Sequence, residues 1–170
     1  PEFQLSGVQA YNNWLAEEIM KVAPDRLIGL AAMPALGVAA AIKEMERCVK
    51  MGFRGVWLNT MPSVGETIRA EDDPFWDAAQ SLGMPIHFHV RVMRKLAKPK
   101  PKGKRGDDLT GLASVGAADF IIDMSEIISS AVHDRFPNLT WVAVETGSGW
   151  IPYILEQLDD RWWRNRHWLP

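Results

Sequence analysis

The chain has 170 residues, 47% of them hydrophobic, and a formal net charge of −2; that is enough for one domain with a real core and gives nucleic acid or an anionic membrane no global electrostatic attraction. Its single cysteine, Cys48, excludes an internal disulfide framework and fits a reducing compartment. No apolar run approaches the roughly 18–20 residues of a membrane span, and residues 1–20 lack a basic-then-apolar secretory pattern, so a soluble, cytoplasmic protein is expected.

In chain order, Val8, Tyr11, Leu15, Ile19 and Val22 share one helical stripe, closed by "APD" at 23–25. "RLIGLAAMP" reads as a short buried strand ended by Pro34. Val38, Ala41, Ile42, Met45, Cys48 and Val49 recur at helical spacing, and Gly52 stands where a helix C-cap belongs. "FRGVWLNT" is the second strand. Asp73 and Pro74 signal the start of a short helix, "FWDAAQSL", that Gly83 ends. "MPIHFHV" is the third strand. A basic loop follows from about 91 to 115, then a helix predicted over Ala117 to Asp134 with Phe120, Ile121, Met124, Ile127, Ile128, Ala131 and Val132 inward. "NLTWVAVE" is the fourth strand, "TGSG" a tight turn, and "WIPYILEQLDDRWW" the last helix.

Four near-continuous apolar strands separated by helices call for a parallel sheet covered by helices, an α/β fold. A closed eight-strand barrel needs about 200–250 residues, so four units make either a small open sheet or half a barrel, read here as a single unit over 1–170. The polar residues collect at the strand ends: Asn59 and Thr60, His89 and Arg91, Glu145 and Thr146. In parallel α/β folds that edge is where ligands bind.

Strand alternation puts His87 and His89 on one side, with Ile86, Phe88 and Val90 on the other. By the same rule Trp141, Ala143 and Glu145 share a face, as do Gly55, Trp57 and Asn59. His89 is nearest the open end and is the better candidate for a ligand or general base. His87 is deeper; a hydrogen-bonded core histidine is the plainer reading, a substrate contact the sharper one. A carboxylate finishing a buried strand is expensive unless paired or ligating, which singles out Glu145. Ser148 in "TGSGW" is not a nucleophile elbow, because Thr precedes Gly147. The run "RVMRKLAKPKPKGKRGDD" carries eight basic residues; a solvated, proline-stiffened loop is favoured over a lid for an anionic substrate. It lacks the interleaved aromatics of a nucleic-acid groove. The tail "RWWRNRHWLP" reads as a helix end and packing arm or oligomer contact.

The segments "YNNWLAEEIMKVAPDRLIGLAAMP", "AIKEMERCVKMGFRGVWLN", "DDPFWDAAQSLGMPIHFHV" and "RFPNLTWVAVETGSGWIPYILEQLD", in that order, resemble the amidohydrolase-related family, the aminocarboxymuconate-semialdehyde decarboxylase-like metal-dependent (β/α)₈ barrels. The resemblance implies a partial (β/α) TIM-type barrel of which this chain matches the third through sixth strands. It implies a divalent metal, zinc foremost, with His89 as a ligand at the end of the family's fifth strand. Glu145 stands where many members carry a histidine, and it becomes the acid/base group or a ligand. Asn59, Arg91 and His87 follow as substrate contacts. The family's first-strand His-x-His or Glu-x-His and its eighth-strand aspartate have no counterpart in these residues, so weak metal binding by this chain alone is expected.

The expected function is therefore hydrolysis or non-oxidative decarboxylation of a small carboxylated or cyclic substrate. The competing expectation is a non-catalytic half-barrel that self-associates through its open sheet edges. A homo-oligomer is expected on either reading, with no nucleic-acid or membrane partner.

Overall fold

The computed structural model describes residues 2–65, 67–89 and 117–168. Arg91 and the basic loop fall outside the described residues.

Helix α1 (Glu2–Trp14) runs on through a π turn (Leu15–Ile19) and a 3-10 turn (Met20–Val22). Then come β1 (Ala31–Ala32), α2 (Val38–Lys50) and β2 (Val56–Leu58). A 3-10 turn (Ala70–Asp72) leads into α3 (Asp73–Ser81) and β3 (Ile86–His89). The described chain resumes with α4 (Ala117–Ser129), α5 (Val132–Arg135), β4 (Trp141–Val144) and α6 (Trp150–Asn165).

All four strands are parallel, and they lie side by side in chain order, β1-β2-β3-β4. A doubly wound sheet reverses its order at a switch point; this one does not. Four β/α units in unbroken sequence are the arrangement of a partial (β/α) barrel.

The pleat divides the sheet into two faces. Val56, Ile86 and Trp141 align across the strands, as do Leu58, Phe88 and Ala143. Val56, Leu58, Ile86 and Phe88 are buried there against Ala41, Met45 and Cys48 of α2 and Phe75, Trp76 and Ala79 of α3. Trp141 stacks flat on Phe88 at 4.9 Å and meets Trp76 at 5.0 Å. Losing one such buried ring costs about 3–5 kcal/mol. The opposite face carries Trp57, His87 and His89 and is more open.

Three expectations need correction. The apolar stripe of the first helix is only in part its buried side: Leu15 packs against the core and Val8 is half-buried, but Tyr11, Ile19 and Val22 are exposed, whereas Asn12 is completely buried. The Asn12 amide accepts from the Ala32 N–H at 2.9 Å and donates to the Ala32 carbonyl at 3.0 Å and to Glu44 at 2.8 Å. Those polar partners share the inner side of the helix with Leu15 and Ala16, which pack against the core. The strand expected from "RLIGLAAMP" shrinks to Ala31–Ala32, and Leu27 and Ile28 are exposed. The helix expected through Asp134 breaks at Ala131, whose left-handed backbone (φ 54) restarts the chain as α5.

Candidate active site at the carboxyl edge of the sheet

The carboxyl ends of β2, β3 and β4 carry Asn59, His89 and Glu145. His89 is the last residue of β3 and faces the open side. Glu145 follows β4 directly. Alternation alone would send its side chain toward the helices with Trp141 and Ala143, because those two align with Ile86 and Phe88. Its backbone is instead left-handed, φ 60, which carries the carboxylate round the end of the strand. The result is an imidazole–carboxylate pair, His89 Nε2 to Glu145 Oε2 at 3.0 Å.

Magnitudes show what this pair is not. A left-handed non-glycine residue costs about 1–2 kcal/mol. The side chains of His89 and Glu145 are 39% and 70% exposed, and a pair so open to water returns only about 0.2–1 kcal/mol. The pair therefore does not repay its backbone strain as a stabilising contact, and a strained residue at a ligand-binding edge points to function.

The turn after Glu145 is fixed from α6. The buried Trp150 indole N–H donates to the carbonyls of Thr146 at 2.9 Å and Gly147 at 3.0 Å, and its ring packs edge-on against Phe120 at 5.3 Å. The loop after β2 is held just as firmly. Buried Asp72 accepts from the Ser63 N–H at 2.7 Å and the Arg69 N–H at 3.0 Å, and Glu126 accepts from the Ile68 N–H at 2.7 Å. Asn59 sits exposed at the root of that loop. His87, one pleat below His89, has its Nδ1 3.2 Å from the Val56 carbonyl oxygen. Arg91 lies outside the described residues.

A family model described as Amidohydrolase matches residues 2–169. The chain belongs to the amidohydrolase family. It is 29% identical over 161 residues to the gamma-resorcylate decarboxylase of a Polaromonas species, covering 88% of this chain and 47% of that protein. It is 24% identical over 166 residues to the 2-amino-3-carboxymuconate-6-semialdehyde decarboxylase of Dictyostelium discoideum, covering 94% and 42%. Among solved structures it resembles the 2,6-dihydroxybenzoate decarboxylase from Rhizobium, with a TM-score of 0.68 and 25% identity over 90% of this chain and 48% of that one. The chain thus spans about half the length of the curated relatives it matches.

For this amidohydrolase chain, the donor set decides the metal question. A zinc site takes three or four protein ligands. Among the described residues no group of three His, Cys, Asp or Glu side chains converges, and the carboxyl edge supplies His89 and Glu145. These residues do not by themselves make a divalent-metal site. Cys48 is no ligand either: it is completely buried on the core face of α2, and burial, with Glu44 beside it, pushes its thiol up to about 12.

Three contributors were not legible as functional in the sequence. Trp150 was visible in "TGSGW", but its indole bonds to the turn were not. Asp72 was passed over for Asp73 and Pro74, where the helix start was read, and its loop clamp was not visible. The turn of the Glu145 backbone leaves no mark in a pattern of alternation.

Proposed function

We propose that this chain carries part of the active centre of a metal-dependent amidohydrolase-like enzyme, one that removes a carboxyl group from a small carboxylated substrate without oxidation. The observation that carries this reading is the His89–Glu145 pair, built at the carboxyl edge on a strained backbone. Support for decarboxylation over hydrolysis comes from the relatives, whose names are those of decarboxylases. The same names leave a non-catalytic half-barrel without support.

In this reading Glu145 transfers the proton. Its carboxylic acid delivers a proton to the unsaturated substrate carbon that bears the carboxylate, the new C–H bond taking the π pair of that carbon's double bond; the bond to the carboxylate then breaks, its electron pair re-forms the double bond, and CO₂ leaves. His89, at 3.0 Å, hydrogen-bonds the carboxylate that remains. His89 is also offered as one ligand of a divalent ion, zinc foremost, the other donors coming from outside the described residues. Asn59 and Arg91 are proposed substrate contacts, Arg91 because a guanidinium matches a carboxylate's two oxygens.

The test uses the full product of the reading frame that encodes this chain, with 2,6-dihydroxybenzoate as first substrate because a similar structure contains it. CO₂ release equal to substrate loss is the expected result. Turnover of lactones or amides with no CO₂ from any aromatic carboxylate would move the assignment to hydrolysis and overturn this reading.

A further inference from the structure

Beneath His89 lies a second imidazole that the proposed chemistry does not use. His87 aligns with Trp57 of β2, and its ring leans back over Gly55. A Cβ at Gly55 would come within 2.7 Å of His87 Cε1, 3.1 Å of its Nδ1 and 2.9 Å of Leu30 Cδ2. No side chain fits there unless the ring moves. The ring is also tied electrostatically, with Nδ1 3.2 Å from the Val56 carbonyl oxygen. A carbonyl can only accept, so this bond requires the proton on Nδ1 and selects one tautomer. Shape and hydrogen bonding therefore fix the same ring to β2 at the point where β3 begins its last pleat, two residues before His89.

We propose that His87 is a positioning residue. It fastens β3 to β2 so that His89 meets Glu145, and Gly55 is the seat kept clear for its ring. This rests on reading His89 and Glu145 as the active pair, and it goes beyond that reading by giving His87 a task other than touching substrate. The consequence is specific: the hydrogen bond to Val56, not imidazole chemistry, is what position 87 must supply.

The test is ¹⁵N NMR of the histidine-labelled protein, with His133 as an internal control for the fold, joined to turnover of the full reading-frame product. The expected result is His87 protonated on Nδ1. In His87→Leu and in Gly55→Ala the His89 ring resonances shift while those of His133 hold, and kcat falls by about 10-fold or more with KM little changed. In His87→Asn, whose amide N–H can reach the Val56 carbonyl, the His89 resonances and most of kcat return. His87 protonated on Nε2, or His89 resonances indifferent to His87→Leu, would overturn the proposal. His89 shifts that behave as expected in a protein without decarboxylase turnover would uphold the positioning role and remove the functional reading alone.

Discussion

At Glu145 the sequence supports a carboxylate at a strand end, but not where that carboxylate points. Alternation is a property of extended backbone, and it lapses at the first residue outside the ladder, which here has φ 60. His89 was easier to place because it lies inside β3, where the period of two holds. Glu44 shows the opposite limit. It lies inside an apolar helical pattern, yet it is buried and accepts from Gln9 at 3.1 Å, Asn12 at 2.8 Å and Arg47 at 2.6 and 2.9 Å. Burial pushes the Glu44 carboxyl up, but the bonds from Arg47, Asn12 and Gln9 outweigh it and hold the group below its ordinary value of 4.5. The folded state thus binds fewer protons at Glu44 than the unfolded state. Its contribution to stability is complete above pH 4.5 and is lost as the pH falls from there through the lower folded value. Denaturation midpoints measured across that acid range should fall less steeply in Glu44→Gln than in wild type, from a lower starting point at neutral pH because Arg47 loses its partner. Equal slopes would mean that Glu44 titrates alike in both states.

At the scale of elements, helices and strands were legible where a single physical pattern ruled them. The α2 pattern puts Ala41, Met45 and Cys48 inward as its spacing predicts. The α1 pattern misleads because one buried amide, Asn12, bonds the two backbone groups of Ala32 that face away from β2; Ala31 and Met33 donate to β2 instead. A side chain thereby closes the β1 edge at Ala32, the position where an unpaired strand would otherwise invite another chain. The predicted helix over 117–134 breaks for a local reason the apolar spacing conceals. Ala131 adopts φ 54 so that Val132, completely buried, can restart on the core side. An alanine pays for a left-handed backbone and a glycine does not, so Ala131→Gly should raise stability by about 0.5–1 kcal/mol in chemical denaturation. A loss of stability would show that this turn is set by packing of the alanine methyl rather than by backbone strain.

At the scale of the molecule, sequence and structure agree on the architecture because it follows from alternation: four apolar strands, each separated from the next by a helix, call for a parallel sheet covered by helices, and the strands lie in chain order. The candidate edge stood out in the sequence because, His87 apart, polar residues interrupt the apolar strands at their carboxyl ends. What the strands could not reveal is the support behind that edge. Trp150 holds the Thr146–Gly147 turn from the first residue of the helix that follows it, Asp72 holds the loop after Asn59 from the loop's own end, and Glu126 holds that loop from a helix distant in sequence. The chain spans about half of its decarboxylase relatives, and His89 and Glu145 are two donors of a set that needs more. The central claim is that this pair is placed for proton transfer and not for stability. It is tested most directly by comparing Glu145→Gly with wild type in the full reading-frame product, measuring stability and CO₂ release on the same samples. The account predicts a stability change below about 1 kcal/mol, because glycine relieves the left-handed backbone, and a loss of turnover of about 100-fold or more. Wild-type turnover in the folded variant would contradict it.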